Sequence, residues 1–217
     1  MKIIALPDLH GRTQELGSMA AQLAAVDVVL LAGDLTTYGS MKEVTIVVEA
    51  VRQHNSHLLA VPGNMDSDRV VDYLAEEGLD IHCQNRLIDG VAFVGVGGAL
   101  PFAGPFVFGE AELASILNEA AAGLDPTMPQ VLICHQPPFE TRIDRLPQGT
   151  HVGSQSVRTY IETRQPLICF TGHIHEAKGI DRIGRTQIIN PGPLWKGGYA
   201  YAEVEGGQIK TLEIRQL

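Results

Sequence analysis

Lys2-Ile3-Ile4-Ala5-Leu6-Pro7-Asp8-Leu9-His10-Gly11 is an apolar run that stops at a proline and then presents an aspartate and a histidine two residues apart. Lys2 to Leu6, apolar from Ile3 on, has the length and pattern of a strand covered on both faces. Pro7 ends it, because it has no N–H for the ladder. Leu16, Met19, Ala20 and Leu23 follow at the spacing of one helix face. The same unit then recurs. Val26 to Ala32 reads as a second buried strand and delivers Gly33-Asp34. Ser40 can cap a helix whose apolar face is Val44, Val47, Val48 and Val51. His57 to Val61 is a third strand and delivers Pro62-Gly63-Asn64-Met65-Asp66. Asp66 or Ser67 can cap the next helix, which carries Val70, Val71 and Leu74. Successive strand, loop and helix units predict an α/β protein with a parallel sheet and right-handed crossovers.

The middle of the chain changes character. Arg86 to Ile88 and Val91 to Val96, split by Asp89-Gly90, predict a hairpin. Gly95-x-Gly97-Gly98 is not a dinucleotide loop, because Leu100-Pro101 stands where a helix would have to begin. Residues 101–109, rich in Pro, Gly and Phe, read as an irregular loop: a substrate wall, a subunit contact or a satellite of the core. A helix with Leu113, Ile116, Leu117 and Ala120 on one face comes next. Gln130 to Cys134 is a fourth strand, delivering His135-Gln136-Pro137-Pro138, and residues 139–153 form a polar rim or lid. Ser154 can cap a helix through Val157, Tyr160 and Ile161. Pro166 to Phe170 is a fifth strand, delivering Thr171-Gly172-His173-Ile174-His175-Glu176. In an extended segment the two histidines point the same way, and Gly172 allows a sharp turn. Thr186 to Ile189, Tyr199 to Val204 and Gln208 to Ile214 are further strands, with Gly206-Gly207 as a hairpin turn and Asn190-Pro191-Gly192-Pro193 as a chain break. No linker, repeat or low-complexity tract intervenes, so residues 1–217 read as one domain.

The 217 residues carry a net charge of −9, which argues against an extended nucleic-acid-binding face. A small phosphate-bearing substrate remains compatible, because a bound cation can supply positive charge locally. Cys83, Cys134 and Cys169 form no CxxC pair and no disulfide framework, which favours a reducing cytoplasm. The N-terminal stretch is charged too early for a signal peptide. No apolar stretch approaches the roughly 20 residues of a membrane helix.

Five strand-like runs are thus each followed by ligand-type side chains: Asp8 and His10, Asp34, Asn64, His135, and His173 with His175. In open α/β sheets such residues collect beyond the carboxyl ends of the strands, so they are expected at one pole of one sheet. Oxygen and imidazole donors without thiolate suit Mn, Fe, Zn, Ni or Co. Cys134 should point to the opposite face of its strand from His135 and is not counted.

Taken in order, Asp8-x-His10-Gly11, Gly33-Asp34, Gly63-Asn64-x-Asp66, His135 and Gly172-His173-x-His175 resemble the signature of the calcineurin-like metallophosphoesterase superfamily. Asn190-Pro191-Gly192 resembles its small bacterial and archaeal phosphodiesterase branch. The resemblance implies a four-layer α/β/β/α sandwich of two mixed β-sheets flanked by helices. It implies two divalent metal ions, manganese foremost. Asp8, His10 and His175 would hold one, Asn64, His135 and His173 the other, and Asp34 would bridge both. A hydroxide shared by cations about 3.5–4 Å apart would attack phosphorus. The expected activity is hydrolysis of a small phosphate ester, a diester before a monoester. The alternatives are a phosphomonoesterase or protein phosphatase, or a scaffold module such as the retromer subunit of this superfamily. A homo-oligomer is compatible with any of them.

One position departs from the family. Where a histidine usually follows the asparagine and helps the leaving group depart, this chain has Met65, which has no proton to give. Loss of a general acid costs roughly 10²–10⁴-fold, most for poor leaving groups. His151, just before the Ser154 helix start, is the candidate substitute, read either as a phosphate contact or as a solvated loop residue. The expected catalytic set is therefore Asp34, Asn64, His135 and His151. Arg12 is either a phosphate clamp or a solvated helix residue, Asp66 is expected to orient a metal ligand, and Glu176 does the same or sits in solvent. His54, His57 and His82 are read as structural or exposed.

Overall fold

The computed structural model describes all 217 residues. The strands are β1 (Lys2–Leu6), β2 (Val28–Ala32), β3 (Leu58–Val61), β4 (Gln84–Ile88), β5 (Val91–Val96), β6 (Gln130–Cys134), β7 (Ile168–Phe170), β8 (Gly179–Ile183), β9 (Thr186–Asn190), β10 (Gly198–Glu205) and β11 (Gln208–Gln216). The helices are α1 (Ala20–Ala24), α2 (Met41–Arg52), α3 (Asp68–Glu76), α4 (Glu110–Ala120) and α5 (Gln155–Arg164). One sheet runs β11-β10-β1-β2-β3 and the other β4-β5-β6-β7-β9-β8. Both are mixed. β1, β2 and β3 are parallel with β10 antiparallel beside β1. β5, β6, β7 and β9 are parallel between the antiparallel edges β4 and β8.

Side-chain alternation explains the layering. Ile3, Ala5, Leu30 and Val61 of the first sheet face Phe93, Ile133 and Phe170 of the second in one buried cluster that contains no helix residue. The intervening residues Ile4, Leu6, Val29 and Leu31 face outward and pack on α2 and α3 through Val44, Val48, Val70 and Leu74. Val94, Leu132, Cys134 and Cys169 likewise pack on α4 and α5 through Leu113, Leu117, Val157 and Ile161. The result is the four-layer α/β/β/α sandwich. Strands buried on both faces read as continuous apolar runs rather than alternating ones. The helix caps behave as expected at two sites: Ser40 Oγ accepts from Glu43 N at 3.3 Å and Ser154 Oγ from Val157 N at 3.2 Å.

Three local expectations are corrected. The five site-bearing strands do not share one sheet, since β1, β2 and β3 belong to the first and β6 and β7 to the second. The first helix is short: Leu16–Met19 is a 3-10 turn and only Ala20–Ala24 is α-helical, although Leu16, Met19 and Leu23 are buried as the spacing required. Asp66 does not cap α3, and Ser67 stands at its start without a side-chain bond to the helix.

Candidate metal centre

The loops after β1, β2, β3, β6 and β7 meet at one end of the sandwich and bring the sequence-selected residues together. Asp8, His10 and His175 form one group of potential ligand atoms lying within 4.8 Å of one another, and Asp34, His135 and His173 form a second. Asp34 lies between them, 3.8 Å from His10 Nε2 and 3.5 Å from His135 Nε2. Asn64 Oδ1 is 3.1 Å from His135 Nε2 and so joins the second group. All seven residues converge; His151 stands apart from both groups.

The backbone is bent to achieve this. Asp8, His10, Asp34 and His173 all have φ between 47° and 67°, a left-handed region that non-glycine residues seldom occupy. Such conformations cost about 1–3 kcal/mol each and persist where the surroundings over-determine them. Three glycines make room. A Cβ on Gly33 would lie 2.2 Å from His135 Nδ1, and one on Gly63 would lie 2.1 Å from Asp34 Oδ1. Gly172 serves space rather than the turn read from the sequence: its Cβ would meet Asp8 Oδ2 at 2.6 Å, and the left-handed residue there is His173.

Hydrogen bonds fix which atoms face inward. His135 Nδ1 lies 2.9 Å from Ala32 O, and His10 Nδ1 lies 3.2 Å from Thr36 O. A carbonyl only accepts, so Nδ1 carries a proton in each ring and Nε2 is the nitrogen turned to the centre. Asn64 Nδ2 donates to Ala103 O at 2.9 Å, which turns Oδ1 inward. Asp66 is fully buried and binds backbone rather than a ligand side chain. It accepts from Gly63 N at 2.8 Å, Leu35 N at 3.1 Å and Thr36 N at 2.9 Å, which ties the Asp34 loop to the Asn64 loop. Asn190, read from the sequence as part of a chain break and of the phosphodiesterase-branch resemblance, donates to Ile174 O at 2.9 Å and steadies the loop of the paired histidines. Ala103 gave no signal at all, because its contribution is a carbonyl.

The donor set fits cations. Asp8 Oδ2 is buried with no hydrogen-bond partner, and a buried carboxylate oxygen left unmatched is costly. His10 Nε2 and His175 Nε2 face each other at 3.3 Å, and a positive ion satisfies both lone pairs at once. The titration pattern expresses the same concentration of charge. Burial alone would push Asp34 up, but the charge and hydrogen bond of His135 outweigh it and hold the carboxyl below its usual range. Burial opposes protonation of His135, yet the Asp34 charge raises it above the usual imidazole range. Burial and the neighbouring His135 lower His173 to about 4. The hydrogen bond to Asp8 raises His175. Burial and then the Asp34 charge raise Asp66 to about 6.

Around the centre, Met65 is half-buried and its N–H donates to Asp34 Oδ1 at 2.8 Å. The Arg12 guanidinium lies over the Trp195 ring at 4.6 Å, and that ring is 6.2 Å from His175. Glu176 is exposed. His82 accepts from Gly97 N at 2.9 Å and stacks on Phe108, a structural role. Cys134 faces the outer core cluster, away from His135. No helix is long and apolar enough to cross a membrane.

A family profile described as Calcineurin-like phosphoesterase superfamily domain matches residues 1–206. An uncharacterized protein of Methanocaldococcus jannaschii is 35% identical over 201 residues, spanning 89% of this chain and 88% of its own. A crystal structure from Thermus thermophilus superposes with a TM-score of 0.75 at 19% identity, covering 99% of this chain and 98% of that one. A structure described as a novel archaeal phosphodiesterase superposes with a TM-score of 0.58 at 17% identity, covering 100% of both chains. These two share the fold. Profile, relative and ordered motifs agree along nearly the whole length, and the chain belongs to the calcineurin-like phosphoesterase superfamily.

Proposed function

We propose that residues 1–217 act as one domain, a dinuclear-metal phosphoesterase of the cytoplasm that hydrolyses small phosphodiesters. The observation that carries this is the position of Asp34, one buried carboxylate reached by both ligand groups. On this reading Asp8, His10 and His175 hold one cation, Asn64, His135 and His173 hold the other, and Asp34 is shared. When bound, such a pair supplies an acidified water as nucleophile and neutralises charge on the phosphoryl oxygens. Manganese is the first metal to test, with iron, zinc, nickel and cobalt as the alternatives the donors accept.

The chain's own contribution is pre-organisation. Ala32 and Thr36 carbonyls fix the His135 and His10 rings, and Ala103 fixes Asn64. Asp8, Asp34, Asn64 and His135 are buried, so these donors are shielded from competing water. A diester carries one phosphate charge where a monoester near neutral pH carries almost two, so a diester asks less of the charge the site can supply. The likeness in fold to a protein described as an archaeal phosphodiesterase supports the same choice.

The test is hydrolysis of bis-p-nitrophenyl phosphate against p-nitrophenyl phosphate after loading with manganese. Turnover of the first and not the second supports the diesterase. The reverse makes the protein a monoesterase. Silence on both with metal bound selects a docking module, the reading that Met65 favours.

A further inference from the structure

A cavity of about 380 Å³ adjoins the metal centre and shares His173 with it, a volume within the range of small-molecule sites. Its walls include Leu100, Phe102, Leu146, Val152, Ile174 and His151, with no Lys, Arg, Asp or Glu among them. An anionic group would find no Lys or Arg in these walls, whereas a neutral apolar group would bury well there.

His151 is not a free loop side chain. Its Nδ1 lies 2.7 Å from Oδ1 of Asp144, which is fully buried. The Asp144 carboxylate also accepts from Thr141 N at 2.8 Å, Gly153 N at 3.0 Å and Glu140 N at 3.1 Å, so it is locked in place. The backbone of His151 is bridged to Arg145. A carboxylate only accepts, so the His151 Nδ1 carries a proton and Nε2, on the far edge of the ring, is the reactive nitrogen. This imidazole–carboxylate arrangement is the usual means of orienting an acid–base histidine. The sequence suggested His151 but gave no sign of Asp144.

We propose that His151, positioned by Asp144, protonates the leaving oxygen of an ester whose neutral, apolar alcohol moiety occupies this cavity. The proposal rests on the phosphoesterase reading above and supplies the proton that Met65 lacks. As a water oxygen bonds to phosphorus, the bond from phosphorus to the leaving oxygen breaks. In the imidazolium form His151 carries a proton on each nitrogen; the one on Nε2 passes to that oxygen, the ring stays protonated at Nδ1, and the alcohol departs neutral. The attacking water releases a proton to solvent, and His151 regains one from solvent through its exposed edge. Each turnover therefore consumes one water.

The test uses the full-length protein loaded with manganese and two diesters, p-nitrophenyl methyl phosphate and phenyl methyl phosphate. His151→Gln is expected to lower turnover of the phenyl ester by roughly 10²-fold while changing the p-nitrophenyl ester only a few-fold, because p-nitrophenolate leaves without a proton. Asp144→Asn is expected to show a smaller loss with the same selectivity, and calorimetric manganese binding should match wild type in both variants. A readout independent of turnover is nitrogen NMR of the metal-free wild type. His151 should be protonated at Nδ1, and added phenol should shift its Nε2 resonance. Equal losses on the two esters, a neutral ring protonated at Nε2 instead of Nδ1, or no response to phenol would overturn the proposal and leave the metal centre standing. Wild-type silence on both esters would overturn the phosphodiesterase reading, and this proposal with it.

Discussion

Gly33→Ala tests whether the His135 ring sits where the chemistry needs it. The new Cβ would lie 2.2 Å from His135 Nδ1, against an ordinary contact of 3.4 Å or more, so the ring or the loop must move by at least 1.2 Å (3.4 minus 2.2). The neighbours leave little slack, because Nδ1 is already bonded to Ala32 O at 2.9 Å and the ring is fully buried. Gly33 also has φ of 92°, which adds strain for any residue with a Cβ. A misplacement of about 1 Å costs on the order of 10²-fold in rate, and loosening a metal-bound histidine costs about 10–100-fold in affinity. Manganese calorimetry and diester turnover are the assays, with circular dichroism and a urea titration to confirm a folded chain destabilised by only about 1–3 kcal/mol. A folded Gly33→Ala protein with wild-type affinity and turnover would refute both the placement of His135 and its role.

Three further perturbations follow from the same geometry. Manganese at about 100 times its dissociation constant should stabilise the protein by about 2.7 kcal/mol, or about 5–11 °C in melting temperature for this length. EDTA should reverse the gain and Asp8→Ala should remove most of it, as read by calorimetric melting. Met65→His should raise turnover of phenyl methyl phosphate by about tenfold or more, and more strongly in a His151→Gln background; no gain on several such esters would discount Met65 as the missing acid. His82 is lowered to about 4 by burial, with Glu119 opposing. A depressed folded-state value means that its contribution is present above the unfolded value near 6.5 and is lost as pH falls through about 4, by up to about 3 kcal/mol. Urea unfolding should show wild type losing ground to His82→Gln across that window, and parallel curves would contradict it.

The strands that carry the site were legible because burial on two faces leaves an uninterrupted apolar run, as in Val28–Ala32 and Gln130–Cys134. The same property hides which sheet a strand joins. Residue pattern alone therefore assembled the five loops on one sheet, and only the family resemblance implied two. β8 was missed because it is an edge strand in which Ile183 alone is buried, leaving no apolar run to read. The potential ligands were legible by chemical type and by position after strands. Their supports were not. The Asp144–His151 pair, the Ala103 carbonyl behind Asn64 and the left-handed backbone at Asp8 or His173 are fixed by tertiary contact, which no local spacing encodes.

Because β1, β2 and β3 lie in one sheet while β6 and β7 lie in the other, the converging loops span the seam between the two layers. Between those layers, within the sandwich, the buried side chains form one apolar cluster. A cation pair seated on Asp34 would rivet the two leaves at one end, like the spine of a book. The reaction centre would then double as a mechanical fastener, and the rim where the leaves open would be the part of the molecule most sensitive to metal supply.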